Sequence, residues 1–258
     1  MASGTTRSSC TWDTAQPLSS APGQAVAWSI SCGAVAYCSV GGLYSRDNQH
    51  YQAIVADETP VLSTTTTESL SAARVTYGHE QAEKVSVTVS ASLGIVIGRV
   101  AVTSDRETAC TLTLANGTGS CTIPARHFSA GPHALTAAYA GATGFTGSSS
   151  AAMHVSVVKA TSKTALTLSG PRVRYGHEQA EKLTVKVIPQ YTGTPGGAVA
   201  ITVGRVRVCM ITLKRGSGTC RLKARTLPAG TYQMRAAYHG NSDFKISASA
   251  KRPLTITR

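Results

Sequence analysis

The sequence has few aromatic residues and none of the motifs that mark common catalytic or metal sites. Aromatic side chains make up 5% of the chain, and its two tryptophans, Trp12 and Trp28, lie near the start. It contains no Gly-x-Ser-x-Gly elbow, phosphate-binding loop or dinucleotide fingerprint, and no CxxC or His pair at zinc spacing. Because no nucleophile–base pair or carboxylate pair can be assigned, we predict a protein that is not an enzyme and holds no metal or cofactor.

The chain also lacks a long apolar run. No stretch is long enough to cross a membrane, and residues 1–7 do not contain the apolar segment of a signal peptide. We therefore predict no transmembrane segment. Since the cysteines indicate export, we expect this chain to be a fragment of a longer exported protein or the product of a misplaced start.

Acidic residues are scarce in one part of the chain only. Residues 1–60 carry 2 Lys/Arg and 4 Asp/Glu, residues 61–158 carry 5 and 5, and residues 159–258 carry 18 and 3. The net charge of +13 therefore comes from the last part of the chain. Charge of one sign on one domain bears on partners and solubility rather than on folding. Two interpretations stay open, a surface that binds an anionic partner and a solvated surface from an Arg-rich genome.

What the sequence does contain is an internal repeat. The octet Tyr-Gly-His-Glu-Gln-Ala-Glu-Lys occupies residues 77–84 and returns unchanged at residues 175–182. A period of about 100 residues is the size of a small domain rather than of a solenoid unit. We predict three domains, at residues 1–60, 61–158 and 159–258, the last of them strongly basic.

Four of the seven cysteines occupy equivalent places in the two copies. Cys110 and Cys121 have the same spacing as Cys209 and Cys220, which predicts one disulfide per copy. Each would close a loop of about a dozen residues and stabilise its domain by about 3 kcal/mol. Structural disulfides persist in oxidising compartments, so we predict an extracellular or cell-surface location.

Apolar and polar residues alternate along both copies, as they do in half-buried β-strands. Val85, Val87 and Val89 alternate with Ser86 and Thr88, and the second copy repeats this pattern. About seven short strands per copy, with turn signals between them and no helical periodicity, predict an all-β fold of two tandem β-sandwiches.

The cysteines flank a predicted turn in each copy. Equal distances from the turn at residues 115–117, and from the turn at residues 214–217, predict a hairpin whose paired strands place the two sulfurs opposite each other.

Residues 61–258 resemble the bacterial immunoglobulin-like domain repeats. The shared features are the Tyr-Gly-x-Glu-Gln-Ala-Glu segment before an alternating strand, the cysteine hairpin with Gly-Thr-Gly-Ser-Cys or Gly-Ser-Gly-Thr-Cys, and the Ala-Ala-Tyr that ends the penultimate strand. The resemblance implies immunoglobulin-like sandwiches that serve as spacer, stalk or adhesion modules of secreted or surface proteins. The second copy departs from the pattern in its excess of Lys and Arg.

The first domain shows three strand-like stretches, at residues 25–32, 37–44 and 51–56, which predict a small antiparallel meander. The segments around Trp12, Cys32, Cys38 and Ala53 resemble one unit of a tandem repeat of exported actinobacterial proteins that is similar to a propeller blade. The resemblance implies a disulfide between Cys32 and Cys38. It leaves Cys10 without an obvious partner.

Two motifs invite a functional interpretation that their context argues against. His79-Glu80-Gln81-Ala82-Glu83 has the form of a metal-binding HExxE, but it runs into an alternating strand rather than lying on a helix. We predict a structural bend with solvated charges. Asn116-Gly117-Thr118 has the form of a glycosylation site, but Asn-Gly is also the preferred dipeptide of a hairpin turn.

The basic residues around the second cysteine pair form the candidate binding site. Strand alternation predicts that they point outward from one sheet region and form a single patch that binds a polyanion. No aromatic residues interleave the charges, which argues against recognition of single-stranded nucleic acid by stacking. Cell-wall polysaccharide is favoured over nucleic acid because the predicted disulfides place the domain outside the cell. The basic residues of this patch are Arg205, Arg207, Lys214, Arg215, Arg221, Lys223 and Arg225.

These observations favour a non-catalytic, monomeric spacer or adhesion protein of the cell surface. The alternative is the accessory region of a larger exported hydrolase, for example one that acts on glycans, whose catalytic domain lies outside these residues.

Overall fold

The computed structural model describes residues 24–34, 37–45, 47, 49–57, 61–104 and 107–258. Cys10 and Trp12 lie outside these residues, as does the side chain of Cys32. The chain forms two compact units, Met1–Val61 and Leu62–Arg258. Among the described residues, no helix is both long and apolar enough to cross a membrane.

In its described residues the first unit forms an antiparallel meander of three strands, which confirms the predicted strand pattern. The strands are β1 (Gln24–Ala34), β2 (Tyr37–Ser45) and β3 (Tyr51–Asp57). Cys32 of β1 lies opposite Cys38 of β2 in the ladder, and Cys38 is disulfide-bonded. The likeness of this unit to a propeller blade stays a prediction.

The second unit consists of two β-sandwiches that share no strand. The first contains a 3₁₀ turn, Glu80–Ala82, and nine strands: β4 (Thr64–Leu70), β5 (Arg74–Thr76), β6 (Lys84–Ala91), β7 (Gly98–Ser104), β8 (Glu107–Leu114), β9 (Thr118–Thr122), β10 (Gly131–Tyr139), β11 (Ser148–Ser149) and β12 (Met153–Val158).

The second sandwich repeats this order. It contains a 3₁₀ turn, Glu178–Ala180, and the strands β13 (Ser162–Leu168), β14 (Arg172–Arg174), β15 (Lys182–Pro189), β16 (Gly197–Val203), β17 (Val206–Leu213), β18 (Ser217–Arg221), β19 (Gly230–Tyr238), β20 (Ser247–Ala248) and β21 (Arg252–Thr257). Seven strands of each sandwich have five or more residues, as the sequence pattern predicts.

Each sandwich packs a smaller sheet against a larger one. The smaller sheets have the strand orders β4-β6-β9 and β13-β15-β18. The larger sheets have the orders β5-β12-β10-β7-β8 and β14-β21-β19-β16-β17, with β11 and β20 paired to β10 and β19. The first strand of each larger sheet runs parallel to its neighbour, and the other pairs are antiparallel.

The alternating strands point one face into a separate apolar core in each sandwich. Val85, Val87 and Val89 of β6 are at most 2% exposed, as are Leu183, Val185 and Val187 of β15. Full burial of a side chain of this size contributes about 1.5–3 kcal/mol. Each sandwich therefore has its own hydrophobic core. The predicted domain boundaries at residues 60 and 158 stay a proposal.

The disulfides join the two sheets of each sandwich at its edge. Cys110 lies on β8 of the larger sheet, opposite Val102, whereas Cys121 lies on β9 of the smaller sheet, opposite Val85. Their Cα atoms are 6.1 Å apart, and those of the Cys209–Cys220 disulfide are 6.6 Å apart. The prediction of a hairpin within one sheet is wrong, because the chain changes sheets at the turn between the two cysteines.

Candidate functional site

The repeated octet buries its glutamates. Glu80, Glu83, Glu178 and Glu181 are at most 3% exposed, so the prediction of solvated charges is wrong. Each carboxylate accepts backbone N–H groups from a neighbouring loop, and a carboxylate that accepts such bonds can be buried without an ionic partner.

The accepted hydrogen bonds show what the glutamates do. Glu80 Oε2 accepts the amide of Arg126 at 2.7 Å, and the Glu83 carboxylate accepts the amide of Ala72. In the second sandwich Glu178 and Glu181 accept the amides of Arg225 and Gly170 in the same way. Each octet therefore fixes two loops at one end of its sandwich.

The Tyr-Gly-His part of the first octet forms the joint between the two sandwiches. Tyr77 meets the ring of Phe244 edge to face, with centroids 5.4 Å apart. His79 stacks on Tyr191 with centroids 4.2 Å apart and planes 4° from parallel. Thr192 donates its hydroxyl to the carbonyl of Gly78 at 2.8 Å. These contacts link residues more than a hundred positions apart in the chain, so no local pattern could predict them.

Two further hydrogen bonds lie at the joint, one between the sandwiches and one from the connection between β12 and β13. The amide of Ala130 donates to Asp243 Oδ1 at 3.0 Å, and Lys159 Nζ donates to the carbonyl of Asn241 at 2.7 Å. Between β12 and β13 the chain passes through Ala160, which is 1% exposed. The connection is therefore short and buried, and the aromatic and hydrogen-bonded contacts of the joint lie beside it.

The structure separates the seven basic residues predicted to form one patch. Because β17 belongs to the larger sheet and β18 to the smaller one, Arg207 and Arg221 lie on different sheets. Lys214 and Arg215 occupy the turn at the far end of β17, about 20 Å along the strand from Arg207. The prediction of a single patch along one hairpin is therefore wrong, although all seven side chains are exposed.

The remaining members of the predicted patch differ in what they do. Arg221 Nη1 donates to the carbonyls of Gln179 and Ala180, so its guanidinium is bound to the 3₁₀ turn. Arg205 precedes β17, and Lys223 follows β18 beyond Arg221. Arg225 has a positive φ of 56° and uses its amide to bind Glu178, so its backbone has a structural role.

The smaller sheet of the second sandwich instead brings together basic residues from three strands. We name the outward surface of β13, β15 and β18 the basic face. In register, Lys182 lies opposite Arg221, and Lys186 lies between Ser217 and Ala165. Lys163 of β13 points outward beside Ile188. Neighbouring strands lie about 4.8 Å apart, and Lys182 and Lys186 are separated by about 13 Å along β15.

The first sandwich carries a different set of side chains on the same face. The counterparts of Lys163, Lys186 and Arg221 are Thr65, Thr88 and Thr122, and only Lys84 retains its charge. Sequence alternation predicts that these residues point outward, but it does not show that β13 and β15 pair with β18. The signal in the sequence that could have found the basic face is a position-by-position comparison of the two copies.

The family assignment follows from the sequence model of the bacterial Ig-like domain (group 3), which matches residues 63–158 and 166–257. The chain belongs to the bacterial Ig-like domain family. Domains of this kind are typical of bacterial adhesins and surface proteins and are typically non-catalytic. Together with the two disulfides, the family indicates an extracellular or surface location.

Comparison with solved structures adds distant neighbours of the Ig-like domains. The chain is 14% identical to the fibronectin(III)-like modules of Clostridium thermocellum CbhA, covering 74% of its own length and 94% of theirs, with a TM-score of 0.31. It is 16% identical to the Yersinia pseudotuberculosis adhesin InvE, covering 75% and 58%, with a TM-score of 0.42.

A third neighbour is the Bacteroides ovatus protein SGBP-B in complex with a mixed-linkage heptasaccharide. It is 13% identical, covering 85% of this chain and 54% of that one, with a TM-score of 0.23. No curated protein matches the sequence. Similarity at this level carries no functional argument.

The acidic residues of the second Ig-like domain are all engaged in backbone hydrogen bonds. Glu178 and Glu181 are buried, and Asp243 accepts the amide of Ala130. Within residues 159–258, all of which the structure describes, no Lys or Arg lies within 4.0 Å of a carboxylate oxygen. The positive charge of this domain is therefore not neutralised by ion pairs on its own surface.

The His-Glu motif forms no metal site in the part of the chain that the structure describes. Glu80 and Glu83 bind loop amides, while His79 faces Tyr191. No group of three His, Cys, Asp or Glu side chains in this part lies close enough together to hold an ion.

Proposed function

We propose that the chain is a non-catalytic spacer and adhesion segment of a bacterial surface protein, and that its second Ig-like domain binds an anionic polymer of the cell envelope through the basic face. The observation that carries the proposal is the contrast between the two domains. The two domains share a fold but differ in charge. The second contains 18 Lys and Arg and 3 acidic residues, whereas the first contains 5 Lys and Arg and 5 acidic residues.

The geometry of the basic face supports an extended anionic ligand. Lys163, Lys182, Lys186 and Arg221 lie on three adjacent strands of one sheet, with small residues such as Ala165 and Thr184 between them. Lys and Arg on a sheet surface contact phosphate or carboxylate groups without reading a sequence, and such binding weakens as salt rises. The outward surface therefore suits a repeating polymer.

Co-sedimentation of the full chain with purified bacterial cell walls tests the proposal. The face variant replaces three cations by their counterparts in the first domain: Lys163→Thr, Lys186→Thr and Arg221→Thr. We expect wild type to sediment with the walls at low salt and to be released as salt rises, and the face variant to lose at least about tenfold in affinity.

A charge-matched control separates a binding face from net charge alone. The control variant also loses three cations and also takes the counterparts from the first domain: Arg207→Thr, Lys214→Ala and Arg215→Asn. It should retain most of the binding. Equal loss in both variants would mean that net charge, and not this face, determines binding, and no binding by wild type at low salt would reject the proposal.

A further inference from the structure

The two identical octets have different surroundings, although their sequences do not differ. In the first domain Tyr77 and His79 are partly buried in the joint, and an added Cβ on Gly78 would collide with the backbone carbonyl of Thr192. In the second domain Tyr175 is 46% exposed, and a Cβ on Gly176 would have no atom within 4 Å. In the part of the chain that the structure describes, no domain covers the second octet, which therefore presents the same groups openly.

The joint also shows which groups bind at the end of a domain where the octet lies. These groups belong to the turn at residues 241–244, Asn-Ser-Asp-Phe. Phe244 packs against Tyr77, and Asp243 accepts the amide of Ala130. The carbonyl of Asn241 accepts a hydrogen bond from Lys159. The turn is held in shape before docking, because Asn241 Oδ1 accepts the amides of Asp243 and Phe244 at 2.9 and 2.8 Å.

An open groove lies at the equivalent place on the second domain. Its volume is about 360 Å³, and it is lined by Tyr175, Pro228, Ala229 and Arg258. Tyr175, Ala229 and Arg258 are the counterparts of Tyr77, Ala130 and Lys159, the residues that bind the turn in the joint. The groove thus offers an aromatic ring, a backbone amide and a cation in the same order along the chain.

We propose that this groove is a docking site for an Asn-x-Asp-Phe turn of another Ig-like domain of the same family. The first domain of a second copy does not carry such a turn, because its residues 142–145 are Ala-Thr-Gly-Phe. The second domain of a second copy carries the turn, but it is already seated on its own joint. The ligand is therefore a domain that presents a free acidic and aromatic turn.

The test extends the full chain with a domain that carries this turn. Because Arg258 stands where Lys159 does, a second copy of residues 160–258 is joined directly after Arg258. Amide hydrogen exchange is then followed by NMR. We expect the Ala229 amide to exchange at least about tenfold more slowly than in the unextended chain, as a hydrogen bond to a charged group predicts. The variant Asp243→Ala in the added domain alone should remove this protection.

The experiment contains its own folding control. The Ala236 amide donates to the Ser249 hydroxyl inside the domain, so its protection in the added copy reports folding independently of docking. A folded added domain with an unprotected Ala229 amide would overturn the proposal.

A second arm does not depend on the extension. A disulfide-cyclised peptide of residues 240–246 is titrated onto the unextended chain, with the Asp243→Ala peptide as control. Resonance shifts confined to Tyr175, Ala229 and Arg258 support the proposal, and no shift at millimolar peptide contradicts it. Concentration-dependent dimerisation that Tyr175→Ala abolishes would assign the groove to a second copy and overturn the choice of ligand.

Discussion

The hydroxyl of Thr192 donates to the carbonyl of Gly78 at 2.8 Å, and so joins the first octet to the second Ig-like domain. Gly78 has a φ of +78°, and its counterpart Gly176 has a φ of +83°. The two positions therefore share the left-handed backbone conformation but differ in their surroundings, because among the described residues only Gly78 is covered by another domain.

This pair predicts the effect of Gly78→Ala on the joint. The left-handed backbone strains alanine by about 1–2 kcal/mol at either position, so Gly176→Ala is the matched control for strain. Gly78→Ala also places a methyl group against the Thr192 carbonyl. We expect it to destabilise the protein more than Gly176→Ala and to speed hydrogen exchange at Ala130. Equal stabilities and unchanged exchange would mean that the joint does not depend on this contact.

A half-buried carboxylate in the first domain predicts a pH-dependent stability. Glu68 lies opposite Val87 in the first domain. The equivalent residue of the second domain is Leu166, which lies opposite Val185 and is 2% exposed. Burial raises the pKa of Glu68 above its ordinary 4.5, although the Ser150 hydroxyl and two nearby amides favour the charged form. These groups lie near the carboxylate, but neither oxygen of Glu68 forms a hydrogen bond with a described residue.

The sign of the effect follows from linkage. Between pH 4.5 and the raised pKa, the folded chain binds more protons than the unfolded chain, so this group lowers stability as pH rises through that window. We expect Glu68→Gln to be more stable than wild type at pH 7 and equal to it well below pH 4.5. Glu68→Leu should gain on the order of 1 kcal/mol at pH 7. Urea unfolding at several pH values measures both changes, and a destabilised Glu68→Leu would contradict the prediction.

The turns between the cysteines predict a stabilising substitution. Arg215 and Asn116 occupy the same turn position with φ values of 51° and 53°. Asn tolerates the left-handed conformation better than Arg. We expect Arg215→Asn to raise the free energy of unfolding by about 0.5 kcal/mol and Asn116→Arg to lower it by a similar amount. Chemical denaturation of both variants checks the prediction, and changes of the opposite sign would contradict it.

The sequence predicts the strands well because their side chains alternate with period two. Val85 and Leu183 are buried, and the strands that end at Tyr139 and Tyr238 lie where the pattern places them. Alternation is a local property, so it carries no information about which strands pair. Cys110 and Cys121 have the same spacing whether their turn lies within one sheet or joins two, and their arrangement could not be decided from sequence.

The candidate site shows the same limit more strongly. The exposed side chains of Arg207 and Arg221 were predictable, but their separation onto two sheets was not. Lys163 and Lys186 join Arg221 only because β13, β15 and β18 form one sheet. The buried glutamates were also missed, because a carboxylate that binds loop amides has no signature in a single sequence.

The proposed function depends on the basic face of the second Ig-like domain and its affinity for polyanions. The most direct test is the affinity of wild type, face variant and control variant for a soluble polyanion, heparin, across a salt series. We predict that the slope of log affinity against log salt falls in magnitude by about 2–3 for the face variant, as expected when three cations no longer bind. The control variant should keep the wild-type slope. Equal slopes in the face and control variants would contradict binding through the basic face.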